Sequence, residues 1–165
     1  MSIESIAETT WPEILKLQAE VYHLVEPESL EVLQDKWLRS PNSCFIYRDN
    51  KQLVGYALAH SWNSKKPPKL FNKLPKGTEG SILFLHDLAV SSNSFGKGIG
   101  STMMAHLVNI AIVSGYREIR LVSVQNSMQF WQKQGFTPLE QEVCKSYGNS
   151  AQLMKRVLDD NAHAS

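Results

Sequence analysis

The spacing of apolar residues changes several times along the chain, and each change predicts a different element. Residues 2–8, with Ile3, Ser5 and Ala7 alternating weakly against polar neighbours, predict a first strand. A helix follows, because Thr9 or Thr10 can cap it, Pro12 suits its first turn, and Ile14, Leu15, Leu17, Val21, Tyr22 and Val25 recur at roughly helical spacing. A second helix is expected over residues 28–39, ending before Pro41. The stretches CFIYRD and QLVGYALAH flank Asp49-Asn50-Lys51 and are rich in residues that suit a pleated surface, so they predict a hairpin, with Gly55 a candidate bulge.

Residues 61–80 hold three prolines, two glycines and five lysines, and read as a loop. Its length is that of a functional or a disordered connection. SILFLHDLAV (81–90) is apolar at both alternating sets of positions, which places it centrally in a sheet. Ile99, Met103, Leu107 and Ile110 predict a helix over 98–114. REIRLVSV reads as a strand, SMQFWQKQ as a short helix ended by Gly135, and two strands close the chain near 138–147 and 151–158. This order predicts a mixed α/β sheet with helices on both faces.

At 165 residues the chain is expected to form one domain, 1–165, burying about two thirds of its unfolded surface. A formal net charge of +1 gives no field that would gather nucleic acid. Cys44 and Cys144 lack CxxC spacing, and MSIESIAETT lacks the marks of a secretory signal, so a reduced, cytoplasmic home is the expectation. No apolar run approaches the roughly 20 residues of a membrane helix, and no metal-ligand pattern is present.

The chemistry concentrates in Phe95-Gly96-Lys97-Gly98-Ile99-Gly100. A strand that enters a glycine-rich turn and then a helix aims the helix's free N–H groups at whatever occupies the turn, and bare glycines let an anion approach them. The plainer alternative is a tight strand-to-helix connection. A Walker loop is excluded by spacing, and a dinucleotide fingerprint would need glycine where Ser101 stands.

The loop resembles the acetyl-coenzyme-A loop of the GNAT family of N-acetyltransferases, whose signature is Q/R-x-x-G-x-G/A. QNSMQFWQKQGF (125–136) is similar to that family's second motif. The resemblance spans nearly the whole chain and implies a mostly antiparallel sheet of about six to seven strands. It also implies acetyl-CoA as co-substrate, bound by Leu88, Ala89 and Val90 through main-chain bonds in a gap between the fourth and fifth strands. Phe95, Gly96, Lys97, Gly98, Ile99, Gly100 and Ser101 would hold the pyrophosphate, and Gln125, Asn126, Phe130 and Trp131 the cofactor's other side. Two positions depart from the family pattern: Phe95 stands for Arg or Gln, and Trp131 stands where many members carry a tyrosine proposed as general acid.

In this family an acceptor amine attacks the thioester directly. A lysine-like amine, with a pKa of about 10.4, must give up a proton at a cost of about 4–5 kcal/mol at pH 7, against about 1 kcal/mol for an α-amino group. His86 and Asp87 precede the cofactor-holding residues and are the candidate bases. Since successive strand residues face opposite ways, only one is expected to reach the cleft, and histidine suits proton transfer near neutrality. Tyr147 is the candidate acid for the leaving thiolate. Each of the three has a packing role as its plainer alternative.

The acceptor would be a small-molecule or peptide amine, met by the first two helices and by the loop before the fourth strand. Lys65, Lys66, Lys69, Lys73 and Lys76 against Glu79 give that loop a local excess that suits an anionic acceptor, or simply a solvated surface. Tyr22, Trp37, Trp62 and Phe71 are candidate walls. A sensor or partner-binding module that keeps the fold without turnover is the competing expectation. Relatives are often dimers, which makes a homodimer the expected assembly.

Overall fold

The computed structural model describes residues 1–22, 26–124, 127–141, 143–148 and 150–158. Its elements run β1 (Ser2–Ser5), α1 (Trp11–Val21), α2 (Leu30–Arg39), β2 (Phe45–Asp49), β3 (Gln52–Trp62), β4 (Ile82–Val90), α3 (Ile99–Val113), β5 (Glu118–Ser123), α4 (Met128–Lys133), β6 (Thr137–Pro138) and β7 (Gln152–Val157). They form one seven-stranded sheet in the order β1-β2-β3-β4-β5-β7-β6, parallel only where β4 meets β5. The sheet expected from the sequence is therefore present, mostly antiparallel and with helices on both faces.

Two apolar layers sandwich it. On one face α3 lays Ile99, Met103, Met104, Leu107 and Ala111 against Leu83, Leu85, Ala57 and Ala59. On the other, α1 and α2 bring Trp11, Ile14, Leu17 and Leu33 against Tyr56, Leu58 and Ala89. Burying a side chain of this size contributes about 1.5–3 kcal/mol, so the two layers dominate the fold's stability. Ser29 caps α2 by accepting the Val32 N–H. The β2–β3 bulge falls at Val54, beside Gly55.

Two expectations change. The strand near 138–147 shrinks to Thr137–Pro138: Pro138 has no N–H for a ladder, and after one further bond from the Leu139 N–H to the Leu153 carbonyl the chain leaves the sheet and makes a 3₁₀ turn at Lys145–Tyr147. The 61–80 loop begins at Asn63, because β3 runs on through Ser61 and Trp62, and it is fastened. Leu74 is buried, its N–H donates to Asp35, and Arg39 donates to the Leu74 and Pro75 carbonyls. Val25, expected in the first helix, lies outside the described residues. Among the described residues, no helix is long and apolar enough to cross a membrane.

Candidate functional site

Two irregularities of β4 build the site. Its parallel pairing with β5 runs from Ile82↔Glu118 to Leu85↔Leu121 and then stops, although both strands continue. The strands part there and leave a wedge. On its other edge, β4 pairs Leu85 with Ala59 and Asp87 with Leu58, so His86 is the extra residue of a bulge. A bulge interrupts the strict alternation of side chains. His86 and Asp87 consequently both line the same cavity of about 490 Å³, which corrects the expectation that only one would.

The glycine loop closes one end of this cavity. Gly96 and Gly98 have φ of +84° and +73° with open space where a Cβ would stand, so backbone conformation demands glycine and leaves the approach to the amides bare. Gly98 is the N-cap of α3, whose first-turn N–H groups have no intrahelical acceptor. Gly100 is needed for another reason: a Cβ there would come within 3.1 Å of the Phe130 ring. Phe95, Ile99 and Ser101 also line the cavity. Lys97 instead extends over the surface toward Asp49, at 3.5 Å.

Leu88 and Val90 line the wedge, while the Ala89 side chain is buried against α1 and α2. The Leu88 carbonyl accepts the Tyr22 hydroxyl at 2.9 Å. Glu20 of α1 fixes the turn after β4 by accepting from the Ser91 hydroxyl and the Ser92 N–H. Phe130 and Trp131 line the opposite wall, edge to face at 4.8 Å, and the Trp131 Nε1–H donates to the Ser127 hydroxyl. The positions expected at Gln125 and Asn126 lie outside the described residues.

At the far end, His86 Nε2 lies 2.5 Å from Glu28 Oε1, with side-chain exposures of 2% and 8%. The other Glu28 oxygen accepts the Phe71 N–H. Burial alone would raise the Glu28 pKa, but the charge and hydrogen bond of His86, with Lys36 and the Phe71 N–H, bring it down to about 2. Glu28 is thus a carboxylate, and the His86 nitrogen facing it carries the hydrogen. His86 Nδ1 is buried with no hydrogen-bond partner in the protein.

Asp87 Oδ2 accepts the Tyr56 hydroxyl at 2.6 Å. Burial pushes the Asp87 carboxyl up, a shift opposed by the nearby His86 and by the hydrogen bond from Tyr56. Tyr147 lines the cavity with its hydroxyl donated to the Pro68 carbonyl, and burial pushes its pKa up. Of the four aromatics expected to wall the acceptor, only Tyr22 lines the cavity: Trp62 belongs to a separate cluster under the loop, and Trp37 stacks edge-on against Trp11. The five loop lysines are exposed and none lines the cavity, whose acidic and basic lining residues are Glu26, Glu28, His86 and Asp87. Among the described residues no cluster of His, Cys, Asp or Glu is placed to hold a metal.

Glu28 is a residue of this cavity that the sequence does not single out. Pro27-Glu28-Ser29 reads as the start of a helix, where an acidic residue suits the dipole and needs no other explanation.

A splayed parallel strand pair, a glycine-rich turn in the wedge and a helix opening on that turn define an acyl-CoA-binding class of fold. The model of the acetyltransferase (GNAT) family matches residues 11–136, and the chain belongs to that family. Solved structures agree in fold. Ard1 from Thermoplasma volcanium superposes with a TM-score of 0.74 at 16% identity, over 96% of this chain and 98% of that one. GphF, a GNAT-like decarboxylase in complex with isobutyryl-CoA, gives 0.80 at 13% identity, over 96% and 100%. The PaiA N-acetyltransferase from Thermoplasma acidophilum, in complex with coenzyme A, gives 0.70 at 17% identity, over 95% and 99%. No curated protein matches the chain in sequence.

Proposed function

We propose that the protein is an acetyl-CoA-dependent N-acetyltransferase in which His86, backed by Glu28, removes the proton from an acceptor amine. The observation that carries this reading is the free Nδ1 of a buried histidine whose other nitrogen is bound to a carboxylate, in the wall of the wedge. Family membership supports acyl-CoA-dependent acyl transfer in general.

The residues present suit acetyl-CoA. The bare Gly96–Gly98 cradle and the α3 amides fit its pyrophosphate, Leu88 and Val90 its pantetheine arm, and Phe130 with Trp131 its other side. Bound there, acetyl-CoA supplies the activated acyl carbon that the amine attacks.

The chain's own groups handle the protons. His86 Nδ1 accepts the amine's proton, and the Glu28 carboxylate at Nε2 stabilises the resulting imidazolium, as a carboxylate behind a histidine base does elsewhere. A free amide of the parted β4 edge stabilises the developing oxyanion. Tyr147, which lines the same cavity, is the proposed donor to the leaving thiolate. Asp87 holds Tyr56, so its role is to fix the base of the wedge rather than to exchange protons. An acceptor arriving as a cation meets only Glu26, Glu28 and Asp87 as opposite charges, which favours a small or peptide amine over an acidic acceptor.

Calorimetric titration with acetyl-CoA, with ATP and NAD as controls, followed by turnover over an amine panel, tests the proposal. Binding of acetyl-CoA alone, with acetylation of at least one amine, is expected. Binding without any turnover would instead support the sensor reading, to which Phe95 and Trp131 give some weight. No acetyl-CoA binding would remove both.

A further inference from the structure

Between β3 and β4 the chain runs a short segment, residues 68–71, along the cavity. Pro68 is buried and its carbonyl accepts the Tyr147 hydroxyl. The Phe71 N–H donates to Glu28 Oε2 at 2.9 Å. Leu70, between them, lines the cavity. Tyr147 and Glu28 line it too, and they come from distant parts of the chain, the turn before β7 and the entry to α2. The segment is therefore a strap from one to the other, with Leu70 facing the space they share.

The strap is fastened beyond its end as well. The Leu74 N–H donates to Asp35 Oδ2 at 2.8 Å, and Arg39 donates to the Leu74 and Pro75 carbonyls. All of these bonds except that of Tyr147 have a charged partner, which makes them stronger than neutral ones. Phe71 bears the strain of this course: its φ is +67°, a left-handed conformation rare for a bulky side chain. Strain of that kind persists only where the surroundings fix it, and it gathers at ligand clamps.

The consequence falls on the acceptor. An amine that reaches His86 enters a space walled by Glu28, Leu70 and Tyr147, in which the His86 and Glu28 side chains are already nearly sealed. The cavity measures about 490 Å³ in all and is shared with the acyl donor, so the remainder has the size of a small molecule. A polypeptide brings a chain that needs a groove leading away from the reacting nitrogen, and making one here means lifting the strap against its fastenings. Exclusion of that sort gives specificity without any added contact to the favoured substrate.

We propose that residues 68–71 are the specificity determinant of the acceptor site: a fastened strap that admits a small free amine and excludes amines carried on a polypeptide. The proposal rests on the reading of the protein as a transferase with His86 as its base.

The test measures acetyl transfer by the full chain to acceptors paired by their reacting amine. Alanine amide is paired with a short peptide beginning with alanine, and n-butylamine with an N-terminally blocked peptide carrying one lysine. Each pair gives up a similar proton, so kcat/KM within a pair reads the bulk beyond the amine. The small member should exceed its peptide by at least about a hundredfold. Arg39→Ala, which removes the bonds to the Leu74 and Pro75 carbonyls, should narrow that ratio at least about tenfold with acetyl-CoA affinity retained. Leu70→Ala, which trims the strap without touching a fastening, should narrow it likewise and serves if the first variant fails to fold. A peptide used by the wild type as well as its small partner would overturn the strap and leave the transferase reading standing. A ratio unmoved in the folded variants would overturn it too.

Trypsin supplies a readout that needs no turnover. Lys69 and Lys73 are exposed and lie in or beside the strap. Cleavage after them, relative to the rest of the chain, should be slow in the wild type and at least about tenfold faster in Arg39→Ala. Equal cleavage would overturn the proposal. Faster cleavage of Arg39→Ala in a protein that acetylates no amine would uphold the fastened strap and remove the transferase reading.

Discussion

Glu28 and His86 stand 58 positions apart in the chain and meet at 2.5 Å, nearly sealed from solvent. The contact lies in the wall of the wedge and ties the start of α2 to the bulge of β4. It also fixes which histidine nitrogen is occupied. Because the Glu28 carboxyl is held down to about 2, it accepts rather than donates at any working pH, so Nε2 carries the hydrogen and Nδ1 is the nitrogen left without a protein partner.

Replacing Glu28 with glutamine should keep the shape of the contact and remove its charge. The expected result is a fall in kcat of about 10²–10³-fold with acetyl-CoA affinity unchanged, as for loss of an assisted general base. Steady-state kinetics with calorimetry on the same protein checks it. A change confined to KM would argue that Glu28 binds the acceptor instead.

The same pair predicts how stability depends on acid. The Glu28 pKa falls from 4.5 to about 2 on folding, so its contribution is fully present above pH 4.5 and is lost as pH drops toward 2. That contribution is about 3 kcal/mol. Buried His60, whose pKa burial lowers from 6.5 to about 3, adds a loss of the same sign that begins below pH 6.5. Urea unfolding between pH 7 and 2.5 should therefore show a continuous decline, less steep below pH 4.5 in Glu28→Gln than in the wild type.

At the other end of the wedge, Gly98 holds a left-handed φ of +73° and caps α3. Gly98→Val should strain the backbone by about 1–2 kcal/mol and cover the helix amides, weakening acetyl-CoA at least about tenfold. Circular dichroism that stays native while calorimetric affinity falls would locate the loss in the loop.

Tyr147 offers a direct test of the acid. In Tyr147→Phe the Pro68 carbonyl loses its buried donor, which should cost about 1 kcal/mol of stability whatever the chemistry. If Tyr147 also protonates the thiolate, kcat should drop more than about tenfold, and less so for an acyl donor with a better leaving group. Loss of stability with kcat intact would leave Tyr147 as an anchor of the 61–80 loop.

The glycine turn was legible because its backbone conformation has few solutions, and a strand before and a helix after are strongly patterned. β4 could be read as central from its unbroken apolar run. The bulge at His86 could not, since one unpaired residue leaves the composition of a strand unchanged and shows only in the register with β3. Lys36 and Glu28 were hidden for a related reason. Each is an ordinary residue for an amphipathic helix and its entry, and only packing against β3 and β4 turns them inward. The stretch 138–147 has the composition of a strand without being one, because apolar residues there, such as Leu139 and Val143, pack against the Trp62 and Leu74 cluster under the loop.

The measurement that bears most directly on this account compares wild type and His86→Gln for acetyl transfer to primary amines, with acetyl-CoA affinity determined for both. The account predicts turnover by the wild type and a loss of about 10²–10⁴-fold in the variant at unchanged affinity. Equal turnover by the two proteins, or none by a wild type that binds acetyl-CoA, would contradict it.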